Sequence, residues 1–278
     1  QRRHRVSAMS ALVSVGPYLV GAGQPYLLIA GNCVVESDEI ARRTADRLME
    51  LCLDRPFNPV FKASFDKANR TRGDSYRGPG LEKGLAALAR IKADTGLPIL
   101  TDVHLPEHCA PAAEVADILQ IPAFLCRQTD LLEAAAKTSA TVNVKKGQFV
   151  SPDAMQYAVK KVHEMGNPSC LLTERGTTFG YGDLIVDYRG FDRLRSFAPL
   201  IFDATHSAQK PAGSGGVTGG DRRIALPLAR AAAAVGIDGL FMEVHPRPEE
   251  ALSDSANTLD FDLFARLLEQ VERLRAAR

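Results

Sequence analysis

Eight short apolar runs alternate along the chain with segments of helical periodicity. The runs are YLLIAG (26–31), PVFKA (59–63), PILTDV (98–103), DILQI (117–121), TVNVK (141–145), CLLTE (170–174), LIFDA (200–204) and GLFMEV (239–244). The helical patterns cover roughly 38–53, 81–95, 106–115, 130–138, 152–165, 191–196, 222–235 and 261–277. Continuous rather than alternating apolar strands, separated by helices, indicate a parallel sheet covered by helices. Eight repeats within 278 residues predict an α/β fold of the (β/α)8 TIM-barrel type. A doubly wound sheet is the main alternative, but no G-x-G-x-x-G motif follows the first run.

The amino-terminal segment precedes the first long strand. Residues 1 to about 10 are basic and are expected to be a disordered tail, and about 11–24 resemble two short strands. A superficial likeness to a signal peptide fails because Gly16 and Pro17 interrupt the apolar stretch. Since no linker-like or low-complexity segment divides the chain, we expect a single domain over 1–278.

Composition and charge exclude several classes of protein. At 45% hydrophobic residues the chain can bury one large core, and its net charge of +1 favours neither nucleic acid nor an anionic membrane as a partner. No apolar run approaches the ~18 residues of a membrane span. The five cysteines are scattered, odd in number and without C-x-x-C spacing, which predicts reduced thiols and a cytoplasmic location.

Polar or ionisable side chains follow every predicted strand at its carboxyl end. In strand order they are Asn32 and Cys33; Lys62; Asp102 and His104; Gln120 and Arg127; Lys145 and Lys146; Glu174 and Arg175; Asp203 and His206; Glu243 and His245. The amino ends instead carry prolines, as at Pro59 and Pro98. Barrel enzymes build their active sites at the carboxyl ends of the strands, so this asymmetry predicts an enzyme.

One part of this rim has the residue types of a metal site. Cys33, His206 and Glu243 end the first, seventh and eighth strands, which are neighbours in a closed barrel, and Asp254 lies in the loop after the eighth. A thiolate, an imidazole and two carboxylates suit a divalent ion such as Fe²⁺, Zn²⁺ or Mn²⁺. The residues alone leave a plainer interpretation open, in which Cys33 is a small buried hydrophobe and the others are ordinary polar groups. His245, two residues past Glu243, is the residue most easily mistaken for a ligand.

The opposite part of the rim carries cations. They are Lys62, Lys67 and Arg70 after the second strand, Arg127 after the fourth, Lys145 after the fifth and Arg175 after the sixth. In a chain of net charge +1 this convergence predicts a substrate with both carboxylate and phosphate, or two phosphorylated substrates. Structural salt bridges with Asp102, Asp130 and Glu174 are the alternative explanation. Two loops, Lys210–Gly220 and Pro246–Thr258, are expected to close over the rim, and the glycine-rich first one to stay irregular without a ligand.

Seven segments of the chain resemble the 3-deoxy-D-manno-octulosonate 8-phosphate synthase family. They are FKASFDKANR, SYRGPGLEKG, TDVH, LQIPAFLCRQTDLLEAAAKT, NVKKGQFVSP, FDATHS and FMEVHPRPEEALSD, spread from about Tyr26 to the end of the last helix. KANR discriminates best, because the related synthase that extends erythrose 4-phosphate resembles K-P-R-T-S there.

The resemblance implies a reaction and a set of binding residues. It implies condensation of phosphoenolpyruvate with D-arabinose 5-phosphate, with release of inorganic phosphate, on the route to the lipopolysaccharide sugar. It also implies a hairpin closing the barrel base and a homotetramer. By matched motif, Lys62, Lys67, Lys145 and Arg175 would hold phosphoenolpyruvate, and Asn69, Arg70, Asp102 and Arg127 would hold arabinose 5-phosphate. The candidate catalytic residues are Lys67, Lys145, His206 and Asp254.

The family has two classes, which differ at the end of the first strand. Metal-independent members resemble a version with asparagine there, whereas the sequence GNCVVES places Cys33 at this point. The resemblance therefore implies the metal-dependent class, with Cys33, His206, Glu243 and Asp254 as ligands. Arg72 in TRGD, the QKPAGSGGVTGG loop and Ser255 depart from the family pattern and bear on the geometry of the lid and, to a small degree, on sugar specificity. Use of erythrose 4-phosphate and a non-catalytic phospho-ligand-binding barrel remain the alternatives.

Overall fold

Eight parallel strands close into a barrel. The computed structural model describes residues 10–70, 73–214 and 217–278. The barrel strands, called first to eighth in chain order, are Tyr26–Val34, Phe57–Ser64, Ile99–Asp102, Ile118–Ile121, Thr141–Lys145, Cys170–Glu174, Leu200–Asp203 and Gly239–Glu243. Each pairs in parallel with its neighbours in sequence, and the eighth strand closes the ring by pairing with the first. The (β/α)8 prediction is confirmed.

Within the described ranges, eight α-helices surround the barrel. They are α1 (Asp38–Cys52), α2 (Leu81–Thr95), α3 (Pro106–Ala113), α4 (Thr129–Ala136), α5 (Gln156–Glu164), α6 (Phe191–Arg195), α7 (Ala225–Val235) and α8 (Phe261–Ala276). Side-chain caps fix two of their starts, since Ser37 accepts from the amide of Ile40 and Asp260 from that of Leu263. In the described ranges no helix has the length and apolarity needed to cross a membrane.

The short amino-terminal hairpin packs against the barrel interior. Its strands, Val13–Val15 and Tyr18–Val20, pair antiparallel, and its valines join an apolar cluster formed by residues that point inward from seven barrel strands. The Thr141 hydroxyl, at the start of the fifth strand, donates to the carbonyl of Ser14 at 2.9 Å. These contacts lie at the amino ends of the strands, so the hairpin closes the base of the barrel and leaves the opposite end as the route to the interior.

Two further strand pairs project from the carboxyl ends of the barrel strands. Thr177–Phe179 pairs with Asp183–Ile185 after the sixth strand, and Gln209–Ser214 pairs with Val217–Gly220 after the seventh. The second pair corrects the expectation of an irregular glycine-rich loop. A Cβ at Gly220 would lie 1.7 Å from the Asn257 side chain, so a glycine here allows this sheet to pack against the loop that follows the eighth strand.

Candidate active site

A cavity of about 370 Å³ opens at the carboxyl ends of the barrel strands, called the mouth below. Ten of the twelve predicted site residues line it: Lys62, Lys67, Asn69, Arg70, Asp102, Lys145, Arg175, His206, Glu243 and Asp254. Five of them are cations and three are carboxylates. One cavity thus brings the cationic part of the rim next to the proposed metal ligands.

The predicted metal ligands converge although they are far apart in sequence. Ligand atoms of Cys33, Glu243 and Asp254 lie within 4.8 Å of one another. The Cys33 Sγ lies 3.3 Å from an Asp254 carboxylate oxygen, and the His206 Nε2 lies 3.7 Å from Glu243 Oε1. Burial and the nearby Glu243 carboxylate raise the pKa of the Cys33 thiol well above its ordinary value. A soft sulfur, an imidazole and two carboxylates in this arrangement fit a divalent ion.

Asp203 orients His206. Its carboxylate lies 2.8 Å from the His206 Nδ1 and also accepts from the His206 backbone amide at 2.9 Å. A carboxylate on one ring nitrogen is how proteins usually fix an imidazole whose other nitrogen serves as a ligand. The sequence shows Asp203 only as a polar strand end, three residues before His206. His245 instead faces Glu36, with its Nε2 at 3.4 Å, so its exclusion from the ligand set agrees with the structure.

Asp254 sits in a strained but well-supported backbone conformation. It has φ of +50°, in the left-handed region that aspartate enters more readily than most residues. Its carbonyl accepts from the amides of Asn257 and Thr258 and from the Thr258 hydroxyl. The turn that follows therefore aims the Asp254 side chain back toward Cys33.

Glu243 is the carboxylate shared by both parts of the site. The Lys62 Nζ lies 2.8 Å and the Lys67 Nζ 3.6 Å from Glu243 Oε1, and Lys62 also donates to the carbonyl of Cys33 at 2.8 Å. Burial alone would raise the pKa of Glu243, but Lys62, His206 and Lys67 hold it well below its ordinary value. Glu243 is thus ionised, as a ligand or an ion-pair partner must be.

Lys145 and Arg175 are two further buried cations of the cavity. The Lys145 Nζ lies 2.6 Å from Asp203 Oδ2, and one Arg175 nitrogen donates to the Gln209 side chain at 2.8 Å. Burial lowers the pKa of both cations from their ordinary values. The other terminal nitrogen of Arg175 is buried and has no hydrogen-bond partner among the described residues. A buried guanidinium donor left free in a cavity indicates a bound anion.

Arg70 and Asn69 occupy the outer part of the cavity. Arg70 donates to the Ser253 hydroxyl at 2.6 Å, while its Nε is buried and unpartnered among the described residues. Ser253 in turn accepts from the Cys33 thiol at 3.0 Å and so links the cationic loop to the metal ligands. Sequence reasoning gave no signal for Ser253, because a serine beside a loop aspartate is unremarkable.

The structure does not bring Arg127 together with the other predicted residues. Its side chain is exposed and does not line the cavity, although Ala123 and Phe124 of the same loop do. Arg72 lies outside the described residues. Of the acids in the salt-bridge alternative, Glu174 pairs with the fully buried Lys146, which is not one of the predicted rim cations, whereas Lys62 and Lys145 pair with Glu243 and Asp203.

Comparison with known proteins identifies related chains. The model of the DAHP synthetase I family matches residues 8–277. The 2-dehydro-3-deoxyphosphooctonate aldolase of Desulfotalea psychrophila is 54% identical over 260 residues, which cover 93% of each chain. That of Desulfatibacillum aliphaticivorans is 52% identical over 271 residues, 97% of this chain and 99% of its own. That of a Cyanothece species is 51% identical over 267 residues, 95% of this chain and 98% of its own.

Proposed function

Because the chain belongs to the DAHP synthetase I family, we propose that it makes 3-deoxy-D-manno-octulosonate 8-phosphate. It condenses phosphoenolpyruvate with D-arabinose 5-phosphate and water, and releases inorganic phosphate. The observation that carries this proposal is the 370 Å³ cavity, in which five cations lie beside the Cys33, His206, Glu243 and Asp254 cluster. The relatives named for this aldolase match nearly their whole length and support the same conclusion.

The cations bind and orient two anionic substrates that repel each other. Phosphoenolpyruvate carries a carboxylate and a phosphate, which Lys62, Lys67, Lys145 and Arg175 hold deep in the cavity. Arabinose 5-phosphate lies toward the outer loop, with its phosphate at Arg70. Fixing the enol carbon close to the aldehyde converts an encounter of two dilute substrates into a reaction within one complex.

The reaction then follows from the chemistry of the two substrates. Carbon 3 of phosphoenolpyruvate attacks the aldehyde carbon, and the aldehyde oxygen takes up a proton and becomes a hydroxyl. Positive charge develops at carbon 2, where water adds, loses a proton and gives a tetrahedral centre. As the bond from carbon 2 to the phosphate oxygen breaks, the hydroxyl of this centre gives its proton to the departing phosphate and becomes the ketone of the product.

Cys33, His206, Glu243 and Asp254 would hold Fe²⁺, Zn²⁺ or Mn²⁺. The four donors suit such an ion in type; those of Cys33, Glu243 and Asp254 lie within 4.8 Å of one another, and the His206 Nε2 lies 3.7 Å from Glu243 Oε1. A divalent ion bound there supplies Lewis acidity, for the aldehyde oxygen or for the attacking water. We further propose that the enzyme works in the cytoplasm as a homotetramer, on the route to lipopolysaccharide.

A phosphate-release assay with a panel of sugar phosphates tests the proposal. We expect release with phosphoenolpyruvate and arabinose 5-phosphate, loss of release after chelation, and its return with Mn²⁺. A higher rate with erythrose 4-phosphate than with arabinose 5-phosphate would contradict the assignment of the sugar substrate. Full activity after exhaustive chelation would contradict the proposed metal dependence. Binding of phosphoenolpyruvate without turnover of any sugar would favour the non-catalytic alternative.

A pair of histidine variants separates the metal ligand from its neighbour. His206→Asn should lose bound metal and activity, whereas His245→Asn should keep the metal stoichiometry of the unmodified chain. Metal content per chain, measured after dialysis, gives the comparison. Equal metal loss in both variants would contradict the assignment of His206.

A further inference from the structure

A chain of buried polar side chains crosses the barrel just below the cavity. Thr173 donates to Asn143 Oδ1 at 2.8 Å, Asn143 Nδ2 donates to Gln120 Oε1 at 2.9 Å, and Gln120 Nε2 donates to Asp102 Oδ1 at 2.6 Å. Ser64 donates to the other oxygen of Asp102. The first three residues, Thr173, Asn143 and Gln120, lie on the sixth, fifth and fourth barrel strands and are called the relay below.

The direction of the relay follows from its last member. An ionised carboxylate only accepts hydrogen bonds, so Gln120 must turn its amide nitrogen toward Asp102 and its oxygen toward Asn143. That oxygen requires the amide nitrogen of Asn143, whose own oxygen then faces Thr173. Thr173 closes the chain, because its hydroxyl can rotate to donate. Removing this hydroxyl leaves the buried Asn143 Oδ1 without its donor, so the two amides are then held only from the Asp102 end.

Stability alone does not account for the relay. Thr173 and Asn143 are fully buried, and inward positions on the fourth and sixth strands, such as Ile118 and Leu171, are filled by apolar side chains. Apolar groups of the same shape in place of a hydrogen-bonded pair can be nearly neutral for stability. The relay instead ends at Asp102, whose carboxylate is 7% exposed and lines the cavity together with Gln120.

We propose that Gln120, Asn143 and Thr173 are positioning residues that hold Asp102 as a fixed hydrogen-bond acceptor for a hydroxyl of arabinose 5-phosphate. This inference rests on the proposed function. Each Asp102 oxygen receives one donor from the protein and keeps a lone pair for a donor from the cavity. Phosphoenolpyruvate has no hydroxyl, so the relay acts on the sugar phosphate. The pKa of Asp102 agrees with this role: burial would raise it, but Lys67 and Lys62 hold it below its ordinary value.

Steady-state kinetics of Thr173→Val test the relay, because valine keeps the shape of threonine without its hydroxyl. We expect the KM for arabinose 5-phosphate to rise about fivefold, the effect of one weakened hydrogen bond, with the KM for phosphoenolpyruvate unchanged. Thr173→Ser should restore the KM for the sugar phosphate to within about twofold. The matched control is Thr141→Val, which also removes a buried hydroxyl bond of 2.9 Å but at the barrel base, and it should change neither KM.

Several outcomes would overturn the inference. An unchanged KM for arabinose 5-phosphate in Thr173→Val refutes it, and so does an equal rise of both KM values. A crystal structure of the unmodified chain with Gln120 Oε1 facing Asp102 refutes it independently of activity. Should Thr173→Val fail to fold, Thr173→Ala and that crystal structure provide the same test.

The proposed function can fail separately. If the unmodified chain releases no phosphate from the two substrates, the proposed function falls. Calorimetric titration with arabinose 5-phosphate then tests the role of the relay. Weaker binding of the sugar phosphate to Thr173→Val than to the unmodified chain supports that role. Equal binding, or no binding to either, refutes it.

Discussion

Replacing Lys146 by methionine tests how strongly a buried charge stabilises the loops of the mouth. Lys146 is 1% exposed, and its Nζ lies 3.5 Å from Glu174 Oε1 and 3.1 Å from the Thr177 hydroxyl. It also donates to the carbonyls of Gly147, Val150 and Gly176, at 3.3 to 3.4 Å. Through these contacts one side chain joins the loops after the fifth and sixth strands.

The structure sets the size of the expected effect. Removing one partner of a buried ion pair costs roughly 3 to 5 kcal/mol. Glu174 Oε1 would keep two donors, the amides of Arg175 and Gly176 at 2.9 and 2.6 Å, so the lower end of that range applies. For 278 residues the entropy of unfolding is roughly 0.6 kcal/mol per degree, so a loss of about 3 kcal/mol lowers Tm by about 5 °C.

Thermal unfolding followed by circular dichroism provides the assay. Lys160→Met is the matched control, because its Nζ also lies 3.5 Å from a carboxylate, that of Glu164, but the two side chains are 68% and 56% exposed. Because solvent screens the Lys160–Glu164 pair, the Tm of Lys160→Met should fall by less than about 1 °C. Adding Glu174→Gln to Lys146→Met should recover part of the loss, since no buried carboxylate remains uncompensated. Equal shifts in Lys146→Met and Lys160→Met would refute the reasoning.

Three further predictions concern packing, metal dependence and thiol chemistry. Gly31→Ala should destabilise the barrel by at least about 3 kcal/mol, because its Cβ would lie 2.0 Å from a carbonyl oxygen of the second strand, whereas Gly182→Ala, with no atom within 4 Å, should leave Tm unchanged. Cys33→Asn should retain some turnover that chelators do not reduce, and complete loss of activity in a folded variant would contradict an exchangeable role. All five cysteines are free and buried, so a thiol reagent at about pH 8 should modify the native chain slowly but all five thiols after denaturation; rapid native modification would contradict their burial.

The repeat pattern predicted the barrel because each strand is buried on both faces and each helix on one. Because these burial patterns are local, they can be read from the sequence, and the observed strand limits differ from the predicted ones by only a few residues. The strand pair in the glycine-rich segment after the seventh strand was harder to predict from the sequence. Its pairing depends on the fit of Gly220 against Asn257, a contact that sequence periodicity does not record.

The candidate site was predictable in its residue types and less so in its pairings. Strand order placed Cys33, His206 and Glu243 together, because the eighth strand lies between the seventh and the first. The pairing of Lys62 with Glu243 joins residues 181 positions apart, and it depends on side-chain conformation as well as topology. Ser253, Asn143 and Thr173 were not predicted for the same reason, since short polar side chains become informative only once their partners are known.

The hairpin closes the barrel at its base, so the cavity opens at the carboxyl ends of the strands. Substrates and products pass the carboxyl ends of the strands, where Arg70 is partly exposed, whereas Lys145 and Arg175 are buried. A molecule seated at the rim therefore blocks the path of one seated below it.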